Sequence, residues 1–314
     1  MSLPASTGIA RPARRGRSFR LRQSVRRAPG PWFAGAILVL LAIYAYGLPL
    51  FAPNPFDLSG MSILDALMPP RWMDGGDPSH WLGTDDQGRD MVIAMAYGLR
   101  TSITVGALSV AIGLVVGGAL GLIAGFAGGW TDTLIMRAAD VQLAYPALLL
   151  AMIIDGVARS ISGGQRSVLA AVTIVIVSIG VAFWVQYART IRSSVIVERD
   201  QDYVSAARIS GRSRSGIVFL HILPNVMAPL FVIATINLGI AIITEATLSF
   251  LGIGIPLTYP SLGMLIRNGN NFLQSGDWWI AAWPCLLLVV FVVAVNVLGD
   301  HLRDVFNPRL RGRG

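Results

Sequence analysis

The sequence predicts an all-α protein with six membrane-spanning helices. Of its 314 residues, 54% are hydrophobic and only 13% are charged, against roughly 25% charged residues in an average soluble domain. The mean hydropathy of +0.62 agrees, and six apolar runs approach the ~20 residues that cross a bilayer core. The apolar content excludes a disordered chain, and the single cysteine, Cys285, excludes a disulfide scaffold.

Each predicted span is a run with few or no charges. The first is uncharged, the third is the shortest because Asp140 and Asp155 bound it, and the fifth contains Glu245 at its far end. A span needs this length because an α-helix rises 1.5 Å per residue through a core about 30 Å thick. The predicted spans are 28–56, 101–131, 138–154, 167–188, 225 to beyond 243, and 278–299.

The distribution of charge predicts the orientation of these spans. Residues 1–27 contain eight arginines and no acid, which leaves 17 basic and 17 acidic residues in the rest of the chain. An even number of spans puts both termini on one side, and Arg-rich segments favour the cytoplasm. The acid-rich segment 57–100 then faces outward, and the Arg-rich segments 189–222 and 302–314 face inward. A nucleic-acid-binding arm is the weaker interpretation of the tail.

The sequence lacks the residues of several enzyme classes. All 25 basic residues are arginine, so the chain has no Walker A lysine and cannot be a P-loop ATPase by itself. Its three histidines are scattered, and neither a metalloprotease motif nor a nucleophile elbow is present. Ser162–Gln165 imitates the signature of an ABC ATPase but falls in a short loop on the outer side. We therefore predict no catalytic, metal or cofactor site in this chain.

The second span contains a glycine at every fourth position. Because such residues lie on one helical face, another helix can approach its backbone closely. We predict a helix-packing seam, within the bundle or at a subunit interface. Its members are Gly113, Gly117, Gly121, Gly125 and Gly129.

The segment between the fourth and fifth spans predicts a compact knob beneath the membrane. Asp200 or Asp202 can cap a short helix through Tyr203–Ile209, and Gly211 suits a left-handed cap at its end. A second helix from about Ser213 leads to Pro224, where the next span begins. Small residues with arginines fit a groove on another protein, and a self-packed loop is the alternative.

The spacing of this segment resembles the EAA loop of ABC importer permeases. That pattern is Glu-Ala-Ala, three residues, Gly, nine residues, then Ile-x-Leu-Pro. The chain keeps the spacing, with Ser205 in place of the glutamate and His221 in place of the first isoleucine. It carries Ser205-Ala206-Ala207, Gly211 and His221-Ile222-Leu223-Pro224. The serine lacks the negative charge that would form a salt bridge to an ATPase.

Five further segments, in the same order, are similar to the C-type permeases of dipeptide and oligopeptide importers. They extend the resemblance over roughly residues 30–310. They are Leu82–Asp90 (LGTDxxGRD), Tyr97–Ser102 (YGxRxS), Ala246–Gly252, Leu298–Asp304 and Pro308–Leu310.

The resemblance implies an inner-membrane permease subunit of a bacterial type I (MetI-like) ABC importer. It implies a heterodimer with a second permease, two ATPase subunits that bind ATP and magnesium, and an extracytoplasmic substrate-binding protein. The implied cargo is di- or oligopeptides, moved by alternating access. Nickel, glutathione, opines, antimicrobial peptides and oligosaccharides stay open as cargoes.

The predicted domain organisation has four parts. They are a tail (1–27), a first helix with an outward segment (28–96), a permease domain (97–301) with its loop 189–222, and a second tail (302–314).

The same resemblance implies that residues of this compact knob contact the ATPase. The predicted coupling residues are Asp202, Tyr203, Ser205, Ala206, Ala207, Arg208 and Gly211.

Glu245 is the charge that lies deepest in an apolar run, where an unpaired carboxylate is costly. It either lines a translocation path or packs against a Ser, Thr or Arg of a neighbouring helix. An ion-coupled secondary transporter, the rival from another class, would need such a residue as an ion ligand.

Overall fold

The computed structural model describes residues 29–57, 62–162, 167–256 and 259–306. The predictions for the tail 1–27 and for Pro308–Leu310 lie outside these ranges. The described chain is helical. Its helices are α1 (Pro29–Phe51), α2 (Met91–Ala127), α3 (Gly129–Leu143), α4 (Ala147–Ile161), α5 (Val168–Arg199), α6 (Asp202–Ile209), α7 (Arg214–Ile217), α8 (Leu223–Phe250), α9 (Leu262–Asn270) and α10 (Trp279–Phe306).

Five helices in the described ranges are long and apolar enough to cross a membrane: α1, α2, α5, the continuous helix Arg214–Phe250, and α10. The helices α3 and α4 pass the same test as a pair, with a bend of 92° between them.

The packing of α2 on α5 shows that this bent pair is the sixth crossing. Gly113 of α2 lies against the backbone of Gly180 in α5, and Gly121 lies two turns further against Ala188. The two helices therefore run in the same direction. The chain between them must return to the other side, and the predicted six spans are reached when the bent pair counts as one of them.

The third span is broken, where the sequence predicted one run over 138–154. The helix α3 ends at Leu143, and Pro146 is the N-cap of α4. Proline disfavours a helical conformation of the residue before it, and its ring cannot continue a helix. The predicted apolar run is therefore two short helices at a steep angle.

The second helix begins at Met91, ten residues before the predicted start at 101. The carboxylate of Asp90 accepts hydrogen bonds from the backbone N–H groups of Val92 (2.8 Å) and Ile93 (3.2 Å). Such a cap satisfies amides that have no partner within the helix. The extra turns bury Met91 and Met95 against α9 and α10.

The helices beside the predicted loop 189–222 are longer than the sequence indicated. The helix α5 continues to Arg199, because Arg192 and Arg189 pair with Asp132 and Asp140 of α3. The fifth span starts at Arg214 and passes Pro224 without a break, through a π-helical turn at Val218–Ile222. The missing amide of the proline thus falls where the hydrogen-bond pattern changes.

The outward segment folds back onto the end of the bundle. The carboxylate of Asp85 is fully buried and pairs with Arg89 at 2.6 Å, and the Arg89 guanidinium lies 4.4 Å from the ring centroid of Phe56. The indole N–H of Trp279 donates to the carbonyl oxygen of Thr84 at 3.0 Å. The segment resembling LGTDxxGRD therefore joins the start of α2 to α10.

The glycines of α2 lie where α5 comes closest. A Cβ atom built on Gly117 would lie 2.1 Å from the carbonyl oxygen of Trp184, and one on Gly121 would lie 2.3 Å from that of Ala188. Gly113 and Gly125 meet α5 in the same way. Gly129 does not belong to this seam, because α2 ends at Ala127 and Gly129 opens α3.

Candidate functional site

A short helix stands out from the bundle between the end of α5 and the start of α7. We call residues 201–213, which comprise α6 and its turn, the knob. Gln201 is the N-cap of α6 and makes no side-chain cap hydrogen bond, so neither Asp200 nor Asp202 is the predicted cap. Asp200 instead ends α5, and Asp202 occupies the first turn of α6, where a negative charge is favourable.

The turn after α6 requires the glycine that the sequence contains. Gly211 has φ +78°, a backbone conformation that side chains with a Cβ disfavour. Its N–H donates to the carbonyl of Arg208 (3.1 Å), and the N–H of Arg212 donates to that of Ala207 (3.1 Å). This pair of bonds is a Schellman motif, which confirms the predicted left-handed cap.

One face of α6 anchors the knob to the membrane helices. Val204 is fully buried, and Ala207 is nearly so, in the cluster that includes Ile217, Ile222 and Val226. Of the predicted coupling residues, Ala207 therefore lies on the anchored face. The cluster also contains Val195 of α5, so the knob is packed against both α5 and the helix Arg214–Phe250.

The opposite face of α6 is exposed. Ile209 is 89% exposed, a large apolar side chain at the tip of the knob. The sequence analysis did not assign Ile209 a role. Its position directly before Ser210-Gly211, where the helix was predicted to end, could have indicated an exposed apolar side chain. The predicted coupling residues that are also exposed are Asp202, Tyr203, Ser205, Ala206, Arg208 and Gly211.

Tyr203 ties the knob to two membrane helices. Its hydroxyl donates to the Glu198 carboxylate of α5 at 2.5 Å and accepts from the Asn225 side-chain amide of α8 at 3.1 Å. Partial burial, followed by the hydrogen bond to Glu198, raises the pKa of the Tyr203 hydroxyl above its ordinary value. The hydroxyl therefore stays a neutral donor, and the knob is braced from both sides.

The knob presents positive charge. Arg208 and Arg212 of the knob are exposed, as is Arg214 directly after it, and Asp202 is the acid of the knob. Among the described residues, no group of three or more His, Cys, Asp or Glu could hold a metal ion. Hydrogen-bond donors and one apolar tip fit a contact with another protein's acidic or carbonyl-rich surface.

Glu245 lies at the other end of the bundle, far from the knob. Its carboxylate is fully buried and accepts from the hydroxyls of Ser102 (2.7 Å) and Ser249 (2.8 Å). The Ser102 oxygen in turn accepts from the N–H of Leu262 at 3.2 Å. The carboxylate thus joins α2, α8 and α9, and a role in lining a path stays a prediction.

The comparisons with known proteins agree with this geometry. The family described as "Binding-protein-dependent transport system inner membrane component" matches residues 117–312. The di/tripeptide transport system permease protein DppC of Pseudomonas aeruginosa (strain UCBPP-PA14) is 37% identical, over 88% of this chain and 88% of the relative. The glutathione transport system permease protein GsiD of Pectobacterium atrosepticum is 34% identical, over 93% of this chain and 89% of the relative.

A solved structure of the MetNI methionine ABC transporter, in an inward-facing conformation, has the same fold. It superposes with a TM-score of 0.53 at 20% identity, covering 69% of this chain and 98% of that chain.

Proposed function

Because this chain belongs to the family of binding-protein-dependent transport system inner membrane components, we propose that it is the permease subunit of a bacterial ABC importer for short peptides. The family and its relatives support this function over an ion-coupled secondary transporter. Peptides are the favoured cargo because these relatives include a di/tripeptide permease and a glutathione permease, and glutathione is itself a tripeptide.

The transporter needs partners that this chain does not supply. The chain has no lysine, so it has no Walker A motif, and ATP with magnesium is bound by two partner ATPases. A second permease completes the path, and a substrate-binding protein delivers the peptide from outside. The charge pattern supports an inner-membrane location with both termini, and therefore the knob, in the cytoplasm.

The observation that carries the mechanism is the two-sided knob. Its inner face is buried with the helix Arg214–Phe250, and its outer face offers Ser205, Ala206, Arg208 and Ile209 to a partner. When the ATPases close on ATP, a displacement of the knob moves that helix as one body. The permease then alternates between inward and outward access. Ser205 has no charge, so the contact depends on shape and on the arginines.

A valine at Gly211 tests this coupling. The position has φ +78°, and an added Cβ meets nothing within 4 Å, so strain of about 1–3 kcal/mol is expected without a clash. We expect Gly211→Val to leave the assembled complex able to hydrolyse ATP but to abolish most peptide uptake. Wild-type uptake by this variant would contradict a coupling role for the knob.

Gly129→Val is the matched control. Gly129 has φ +56° and also meets nothing within 4 Å, but it is the first residue of α3 and lies outside the knob. Both valines carry the same kind of backbone strain. Only the one in the knob is expected to lower the number of peptides imported per ATP hydrolysed.

The assembly itself is tested by purifying a tagged chain gently from its native membrane. Recovery of a second six-span permease together with P-loop ATPases is the expected result. Recovery of the chain alone would leave the outer face of the knob without its partner and would overturn the ABC assignment.

A further inference from the structure

A cavity with a mixed polar and apolar lining lies near the end of the bundle opposite the knob. It has a volume of about 280 Å³ and is bounded by Asn54 just after α1, by Tyr97–Val105 of α2, by the start of α5 and by residues 259–260. Such a volume is close to the lower end of small-molecule sites, which run from about 300 to 1,000 Å³. The cavity therefore fits one small group rather than a whole large ligand.

Arg100, in the third turn of α2, is the charge in this cavity. Its side chain is exposed, and its guanidinium lies 5.9 Å from the ring centroid of Tyr46. No carboxylate of the described residues lies within 4.0 Å of it, and all 17 acidic residues of the chain fall in the described ranges. By contrast, Arg89 at the same end is buried against Asp85.

An arginine without an ion pair in a membrane helix is a candidate functional group, because the charge costs free energy there unless water or an anion accompanies it. A guanidinium binds a carboxylate through two parallel hydrogen bonds, which makes the pair both strong and directional. Because the Arg100 guanidinium has no carboxylate partner among the described residues, it is suited to bind an oxyanion.

The walls of the cavity suit a ligand whose anionic group is attached to an uncharged side chain. The neighbouring hydroxyls are held by protein atoms: Tyr97 donates to the carbonyl of Ala52 at 3.0 Å, and Thr104 donates to that of Arg100 at 2.7 Å. Val172 and Tyr259 add apolar and aromatic surface. The cavity thus offers one cation beside surface that can hold a side chain.

We propose that this cavity binds the C-terminal carboxylate of the transported peptide, with Arg100 as the residue that pairs with it. The proposal rests on the proposed function of peptide import and adds a specificity: peptides with a free C-terminus are preferred during translocation. Arg100 contacts the substrate directly, and the cavity receives the last residue of the peptide on its way through the permease.

The test compares two forms of one peptide in the complete transporter, reconstituted in liposomes with its binding protein. One form has a free C-terminal carboxylate and the other a C-terminal amide. Each is supplied above the concentration that saturates the binding protein. Because the binding protein is the same for every permease variant, its own preference cancels when the uptake ratio of the two peptides is compared between variants.

The variants are Arg100→Gln, Arg100→Lys and a matched control, Arg71→Gln. Arg71 is also exposed and lies 4.9 Å from the ring centroid of Trp81, but outside the cavity. We expect Arg100→Gln to lower the preference for the free carboxylate by about tenfold, which corresponds to about 1.4 kcal/mol. Arg100→Lys should restore part of the preference, and Arg71→Gln should leave it unchanged.

Other outcomes overturn the proposal and identify its replacement. An equal loss of both peptides in Arg100→Gln would assign the arginine to a carboxylate of the partner permease or to a lipid phosphate. An unchanged ratio would leave the cavity without a role in selection. If the wild-type transporter imports neither peptide, the proposed function itself fails, whatever the variants do.

Discussion

The contact between α2 and α5 makes a sharp prediction about two adjacent glycines. Gly117 lies against the backbone of α5, where an added Cβ would be 2.1 Å from the carbonyl oxygen of Trp184. Gly118, the next residue, would place its Cβ 3.5 Å from the side chain of Ile191, an ordinary contact. The same substitution by alanine therefore meets a rigid backbone at one position and a mobile side chain at the other.

The magnitude follows from these distances. Cβ atoms essentially never approach other heavy atoms within 3.0 Å, so Gly117→Ala must separate the helices by about 0.9 Å. Overpacking of this kind typically costs about 1–3 kcal/mol. Alanine recovers up to about 1 kcal/mol through its higher helix propensity. We expect Gly117→Ala to destabilise the protein by up to about 2 kcal/mol and Gly118→Ala to be neutral or stabilising by up to about 1 kcal/mol.

The assay is the apparent melting temperature of the purified transporter. Each kcal/mol corresponds to about 2–4 °C for chains of 150–250 residues, so the two variants should differ by several degrees. Equal melting temperatures for both variants and the wild type would refute the view that close backbone contact holds α2 against α5. So would a fall of the same size at Gly118.

Three further substitutions test the outward segment, the buried carboxylate and the knob. Asp85→Ala should destabilise the protein by about 3 kcal/mol because it removes the closest partner of the buried Arg89 charge and leaves only Asp86 at 3.7 Å. The double variant Asp85→Ala with Arg89→Met should lose less than the sum of its two single variants in thermal unfolding. Additive losses would contradict a coupled pair. Glu245→Gln should retain wild-type stability, whereas Glu245→Ala should lose about 1–3 kcal/mol because the serine hydroxyls lose their acceptor. Lost peptide uptake in a stable Glu245→Gln variant would instead support a role for Glu245 in the translocation path. Tyr203→Phe should lower the number of peptides imported per ATP hydrolysed, because the hydrogen bond between the Tyr203 hydroxyl and Asn225 is lost. An unchanged number of peptides per ATP would exclude this hydrogen bond from coupling.

The sequence was most informative where one residue type has one physical consequence. Apolar runs indicated the spans, and the lack of lysine excluded a P-loop nucleotide site. The glycine in the turn after α6 predicted a left-handed cap, and Gly211 has that conformation. The ends of helices were less predictable: hydropathy placed the start of α2 at 101, but the Asp90 cap places it at Met91. Capping depends on a few local hydrogen bonds, which average hydropathy does not report.

The sequence could locate the residues of the candidate sites, but it could not predict their burial or their contact partners. The motif of the knob located α6, but burial distinguishes Ala207, which anchors, from Ile209, which faces outward. Arg100 belongs to a recognisable segment, yet its lack of an ion pair in the described structure depends on where the acids of other helices fall. The partners of Glu245 lie up to 143 residues away along the chain, so no local pattern could name them.

By itself, the sequence determined the class of the protein, the approximate spans, the charge asymmetry and the spacing of the knob, because these depend on composition and on neighbours along the chain. The tertiary structure decided that the third span is bent, that α2 and α5 run parallel in backbone contact, that a buried carboxylate joins three helices, and that one arginine faces a cavity unpaired. The physical reason is that these features arise from contacts between residues far apart in sequence, and such contacts exist only once the helices have packed.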